Sequence, residues 1–171
     1  MDIQENIINK VANSGLMTLN LEDFYHQGER VIYDIKENLF HGLMLREKDF
    51  RAFIKEHDWA QYQDKNIAII CSADAIVPTW AYMLLANKMN PYANEVVFGG
   101  IDTLEAVLMT KALSKINPAD YANERVVIKG CGDIDIPVSA YVEITNLLTP
   151  VVKSIMFGEP CSTVPVFKRK D

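Results

Sequence analysis

The chain is poor in cysteine, and none of its thiols sits in a paired motif. Three occur in 171 residues, Cys71, Cys131 and Cys161. An odd count cannot close into a full disulfide framework, and without a C-x-x-C pair no local zinc or redox motif is encoded. Long apolar runs are missing too: no stretch approaches the ~20 residues that span a bilayer. The opening residues MDIQENIINK are acidic and amphipathic and lack the basic start and apolar core of a signal peptide. A cytoplasmic protein with no membrane partner is expected. Basic faces are absent: at a net charge of −6, the one cationic cluster is Lys168-Arg169-Lys170, so no nucleic-acid partner is expected. No phosphate loop is present either. Phe98-Gly99-Gly100 precedes a helix, but G-x-G-x-x-G and G-K-[ST] are lacking, and Asp102 would stand where a phosphate should sit. A tight turn is the expectation there.

The composition, 49% hydrophobic and 23% charged, is that of a globular protein, and the length suits one domain over residues 1–171. Ile3, Ile7, Ile8 and Val11 share a face at helical spacing, which predicts a helix over 3–14. A short extended piece is expected around Leu19 and Leu21, and 30–36 with 39–46 read as a hairpin. A helix follows over 47–59, with Phe50, Phe53 and Ile54 as its stripe. From there the chain alternates. Ile67–Ile70, Val96–Phe98 and Val126–Ile128 are uninterrupted apolar runs, as in strands buried on both faces. Helices are expected from Pro78 to Met89, after Gly99-Gly100 with Asp102 and Glu105 as a capping box, and from Pro137 onward. Tyr141, Ile144, Leu148, Val151 and Ile155 line one side of the last helix, with a kink or break at Pro150. Ser162–Phe167 reads as extended. The fold class is α/β: a single domain whose mixed sheet has a parallel βαβαβα core and an N-terminal antiparallel hairpin.

One pattern occurs twice. An apolar run ends in cysteine, an aspartate follows in the loop, and a proline opens a helix that carries Ala-Tyr. The residues are Cys71, Asp74, Pro78, Ala81, Tyr82 and then Cys131, Asp133, Pro137, Ala140, Tyr141, with the second loop one residue shorter. In a parallel sheet both thiols fall at the carboxyl edge, where α/β proteins place ligands. Three readings of the thiols stand. Free cysteine packs as a small buried hydrophobe. Thiolates hold soft metals, so Cys71, Cys131 and Cys161 could bind zinc or iron, with Asp74, Asp133 or His41 as fourth ligand. A reactive thiol needs a nearby cation, and Lys129 lies two positions from Cys131, on the same strand face. Gly130 and Gly132 flank Cys131 and would let a bound ion or ligand approach the backbone. Asp74, Asp133 and Asp135, ahead of proline-led helices, are expected as caps. His57 reads as surface and His41 as a satisfied histidine within a strand.

The stretches Lys129-Gly130-Cys131, Pro137 with Ala140-Tyr141, and Ser154 through Ser162 resemble domain-of-unknown-function family 2480, proteins of Bacteroidetes-type bacteria, and the similarity extends over nearly the whole chain. The resemblance supplies no activity, substrate or catalytic residue. What it implies is a single domain with a link to iron–sulfur or thiol metabolism. Two functions follow from the residues: a small-molecule or metal-binding protein, with or without enzymatic activity, using the cysteine edge; or a non-catalytic structural or interaction module with core cysteines. A homo-oligomer is compatible with either, since the extended tail could add an edge strand or pair with a partner.

Overall fold

The apolar runs Ile67–Ile70 and Val126–Ile128 each lie between two strands, whereas Val96–Phe98, expected to be buried on both faces, forms an edge strand with Phe98 exposed; two sheets supply the partners. The computed structural model describes residues 9–11, 15–130 and 132–170. The strands are β1 (Asn9–Val11), β2 (Leu16–Asn20), β3 (Arg30–Asp34), β4 (Asn66–Ile70), β5 (Glu95–Phe98), β6 (Arg125–Lys129), β7 (Ser154–Glu159) and β8 (Ser162–Lys168); the helices are α1 (Glu47–Glu56), α2 (Thr79–Met89), α3 (Ile101–Leu113) and α4 (Val138–Leu148). One sheet has the order β1-β2-β6-β7-β8 and the other β3-β4-β5. The strands β2, β6 and β7 are parallel, as are β3, β4 and β5, while β1 and β8 join antiparallel at the two edges of the larger sheet. The α/β class with parallel pairing therefore holds.

The chain divides into two compact units. Unit 1 comprises Met1–His26 with Leu108–Asp171, and unit 2 is Gln27–Val107. The first boundary falls in the irregular segment 25–29 and the second inside α3. In unit 2, Phe50 and Ile54 of α1 and Leu85 and Met89 of α2 pack with Ile67 and Ile69 of β4. In unit 1, Met109 and Leu113 of α3 and Ile144 and Leu148 of α4 pack with Val126 and Ile128 of β6. Alternate strand residues enter each core, and Ala68 and Val127 on the opposite face of β4 and β6 are buried as well, as expected of strands covered on both faces.

From α1 through β5 the residues of one core recur in the other at a spacing of 59, except that β3 and β2, the parallel neighbours of β4 and β6, do not follow it. Phe50 corresponds to Met109, Ile54 to Leu113, Asn66 to Arg125, Thr79 to Val138 and Gly99 to Gly158. Tyr62 and Tyr121, each in a 3-10 turn before its strand, are both buried. Asp64 and Asn123, at the next turn, share a left-handed φ of 59°. Asp64 N–H donates to Tyr92 O, and Asn123 N–H to Val151 O, both at 2.9 Å. The edge-on ring pair Tyr82–Phe98, centroids 5.0 Å apart, recurs as Tyr141–Phe157 at 5.7 Å. The Ala-Tyr pairs thus pack equivalently, with Ala81 and Ala140 buried.

This register corrects the apparent one-residue difference between the loops. Both span eight residues, 71–78 and 130–137. Cys71 therefore corresponds to Gly130, and Cys131 to Ser72. Further corrections concern strand partners and turns. The segments 66–70 and 125–129 do not share a sheet, because β4 takes β3 and β5 as neighbours and β6 takes β2 and β7. The expected hairpin over 30–46 is absent. Asp34 Oδ1 accepts Lys36 N–H at 3.1 Å and starts a 3-10 turn, Ile35–Asn38, and His41 and Gly42 are left-handed at φ 52° and 69°. An antiparallel N-terminal pair does exist, as β1 with β2, so residues 9–11 are strand; the rest of the predicted helix 3–14 lies outside the described residues. The last helix ends at Leu148, before Pro150, whose fixed ring cannot continue it. Of the residues beyond it that were expected as helix through Ile155, 149–153 turn the chain and Ser154 and Ile155 begin β7. The expected capping box at α3 is not made either: the Glu105 carboxylate is taken by Arg30, at 2.6 and 3.0 Å.

Candidate functional site

The carboxyl ends of the parallel strands are where the sequence places its thiols. In unit 2, Cys71 follows β4, is half-buried against the core, and directs its Sγ–H to Ala73 O at 3.5 Å. Its neighbour Ser72 donates twice to Asp34 at the end of β3, from N–H at 3.1 Å and from Oγ at 2.5 Å. Burial pushes the Asp34 carboxyl up, but the Ser72 and Lys36 hydrogen bonds and the Lys36 ammonium together outweigh it and hold it below the usual range. Burial, with Cys71 and Asp34 nearby, pushes the Tyr82 phenol up. Ser72 and Asp34 tie two strand ends together. Asp74 is exposed in the same loop and caps nothing: α2 starts at Pro78 with no side-chain cap. His41 is not in a strand but on an exposed turn, its ring edge-on to Phe40.

In unit 1 the counterpart edge is crowded by the chain's own side chains. Tyr141 Oη–H donates to Gly130 O at 3.0 Å, and a Cβ on Gly130 would collide with that hydroxyl. Ile134 N–H donates to Glu22 Oε1 at 3.3 Å, and a Cβ on Gly132 would collide with the same carboxylate. These approaches account for both glycines without a bound ion. Lys129 is engaged as well: its Nζ lies 2.9 Å from Glu159 Oε1. That hydrogen bond and charge raise its pKa, with Glu22 and Asp23 adding to the effect. Asp133 and Asp135 are exposed, and α4 begins at Pro137 with no side-chain cap. The expected capping by Asp74, Asp133 and Asp135 is therefore absent, since proline fills each N-cap. Cys161 is exposed at the turn joining β7 to β8, at the sheet edge where β6 ends. Cys131 lies outside the described residues. Among the described residues, no three His, Cys, Asp or Glu side chains are grouped to hold a metal ion, and no helix is long and apolar enough to cross a membrane.

The site that sequence reasoning missed lies on the helix-covered face of unit 1. Because β8 extends the sheet one strand past β7, an open groove of about 520 Å³ runs beside α4. Val138, Tyr141, Val142 and Asn146 form its helix wall, with Phe157 of β7 and Val166 of β8 across from them. No ionised side chain lines it. Val138 is 77% exposed and Val142 56%. A signal was available: Val138 and Val142 lie four apart on α4, off the face of the buried Ala140, Ile144 and Leu148, and a second apolar stripe must be covered or dock something. In unit 2 the matching positions are Thr79, Met83 and Phe98, and Met83 and Phe98 are likewise exposed.

His57 also departs from its surface reading. It sits among Phe53, Trp59 and Tyr62, with ring centroids 4.7, 4.6 and 5.8 Å away. One ring nitrogen is 3.1 Å from Tyr62 Oη and 3.0 Å from Gln61 Nε2. Burial lowers its pKa, against a small opposing pull from Asp58.

Fold and groove together define an α/β protein of two units built on parallel strands, one of which carries an open apolar groove. The chain matches the family model described as Protein of unknown function (DUF2480) over residues 5–169, and it belongs to that family. No curated protein and no solved structure matches it.

Proposed function

We propose that this protein is an interaction module whose working surface is the α4–β7–β8 groove of unit 1, taking an apolar segment of a protein. The observation that carries this reading is the groove: about 520 Å³, uncharged and walled by exposed valines. Its volume falls in the ~300–1,000 Å³ range of specific sites. Contiguous exposed apolar surface is costly to leave wet and marks places of interaction. The groove's open side suits a protruding side-chain cluster better than an engulfed small molecule. Edge pairing by β8 is disfavoured, because Pro165 lacks an N–H and the β7–β8 register shifts beside it. The thiol-site reading has less support, since Cys71 is held by its own loop, Lys129 by Glu159, and the glycines by Tyr141 and Glu22.

The test is photo-crosslinking in living cells from position 146 in the groove, with exposed position 115 as control. Discrete adducts from 146 that vanish with Val142→Glu are the expected result. Equal adducts from both positions, or none from 146, would remove the groove from consideration.

A further inference from the structure

The strand edge that β8 covers in unit 1 stands open in unit 2. At the 59-residue spacing β5 corresponds to β7, with Phe98 for Phe157 and Gly99 for Gly158. β7 carries β8 antiparallel on its outer side, with Val164 opposite Phe157 and Thr163 opposite Gly158. β5 is the last strand of its sheet, and the chain turns at Gly99-Gly100 straight into α3.

One hydrogen bond fixes where the backbone groups of β5 point. Gly99 N–H donates to Ile69 O at 2.9 Å, toward β4. Backbone groups alternate sides along a strand, so Val97 also faces β4, while the N–H and C=O of Val96 and Phe98 face outward. Among the described residues no strand lies there to take them. Val96 packs on the helix-covered core and the Phe98 ring meets Tyr82 of α2 edge-on, so both side chains lie on one face. Phe98 is 66% exposed for want of a neighbour. Free edges are ordinarily guarded by proline, lysine or a bulge. β8 has Pro165, Lys168 and a register shift against β7; β5, Glu95-Val96-Val97-Phe98, has none of these.

We propose that the β5 edge pairs antiparallel with β5 of a second copy of this chain, about a two-fold axis through Val97. In this register Val96 lies opposite the partner's Phe98, and Phe98 opposite the partner's Val96. Each such pair exchanges both backbone hydrogen bonds, so every outward N–H and C=O of the two residues finds an acceptor or donor. A one-residue slip would set outward groups against inward ones and turn the side chains to the wrong face. The strand is thus its own complement. The pairing also repeats what unit 1 shows: an antiparallel neighbour that puts a valine opposite the phenylalanine, as Val164 stands opposite Phe157. The surface is separate from the groove of unit 1 and does not depend on it.

Sedimentation velocity on the full chain from about 1 to about 500 µM tests the association. The wild type is expected to pass from monomer to dimer and stop there, because a two-fold contact closes. Phe98→Glu sets a carboxylate against the partner's Val96 at both ends of the contact and should weaken the dimer at least about 100-fold; circular dichroism checks that it folds. The register is tested by Val97→Cys in a chain whose Cys71, Cys131 and Cys161 are replaced by serine. Across the axis the two positions 97 form a non-hydrogen-bonded pair with Cα atoms ~4.5 Å apart, within disulfide reach. Mild oxidation should therefore link the copies at 97 and not in a matching Glu95→Cys chain, and this readout stands even if Phe98→Glu does not fold. A wild type that stays monomeric throughout overturns the proposal. So does a dimer that persists in folded Phe98→Glu, or one that links no better through 97 than through 95.

Discussion

Substituting Gly130 by alanine separates two accounts of the glycines beside Cys131. If they exist to admit an ion or ligand, one methyl group should leave folding nearly untouched. The geometry says otherwise. Gly130 is not in the left-handed region, so alanine meets no backbone penalty there, but its Cβ would occupy the place of the Tyr141 hydroxyl. Tyr141 must then withdraw and lose its 3.0 Å hydrogen bond to Gly130 O. The lost bond costs about 1 kcal/mol and the overpacking about 1–3 kcal/mol. For a chain of this length that lowers the melting temperature by on the order of 10 °C. Far-UV circular dichroism during urea and thermal unfolding is the assay, because both tryptophans, Trp59 and Trp80, report on unit 2. Tyr141→Phe supplies the control. Alone it should cost about 1 kcal/mol for the hydrogen bond to Gly130 O. In that background Gly130→Ala should cost clearly less than in the wild type, because the untethered ring can shift, giving a coupling energy of about 1–2 kcal/mol. A Gly130→Ala protein within about 0.5 kcal/mol of wild type, the range of an inconsequential substitution, would refute the steric account. So would an equal cost in both backgrounds.

Asp34 is held ionised by Ser72, so its contribution to stability is present above the unfolded carboxyl pKa of ~3.9 and is lost as pH falls through the lower folded value. Ser72→Ala should cost about 1 kcal/mol near neutral pH and less in acid; a cost that is unchanged between neutral and acidic urea titrations contradicts this. His57 is favoured neutral in the fold, so stability should decline as pH falls below the unfolded value of ~6.5 and level off below the depressed folded value. An NMR titration of His57 with its midpoint above ~6.5 would contradict that reading. Exposed Cys161 should alkylate well ahead of half-buried Cys71, and peptide mass spectrometry after limited iodoacetamide treatment shows the order; faster modification of Cys71 would mean that its loop opens readily.

Local pattern determined much of this protein. The apolar runs at 66–70, 95–98 and 125–129, and the proline-led helices after Pro78 and Pro137, follow from periodicity and from what proline forbids. The recurrence from α1 through β5 is also written in the sequence, as a spacing of 59 residues. Tertiary structure decided which strands became neighbours, because an apolar run states that it must be buried but not beside what. It made Ser154–Glu159 the partner of β6 instead of a continuation of α4, and it divided the strands between two sheets. It also decided the surface. Val138 and Val142 look like core residues on a helix. They stand exposed because β7 is followed by another strand, β8, which lengthens the sheet without covering α4. Burial is a property of what the chain brings to a residue, and sequence gives only the demand for it.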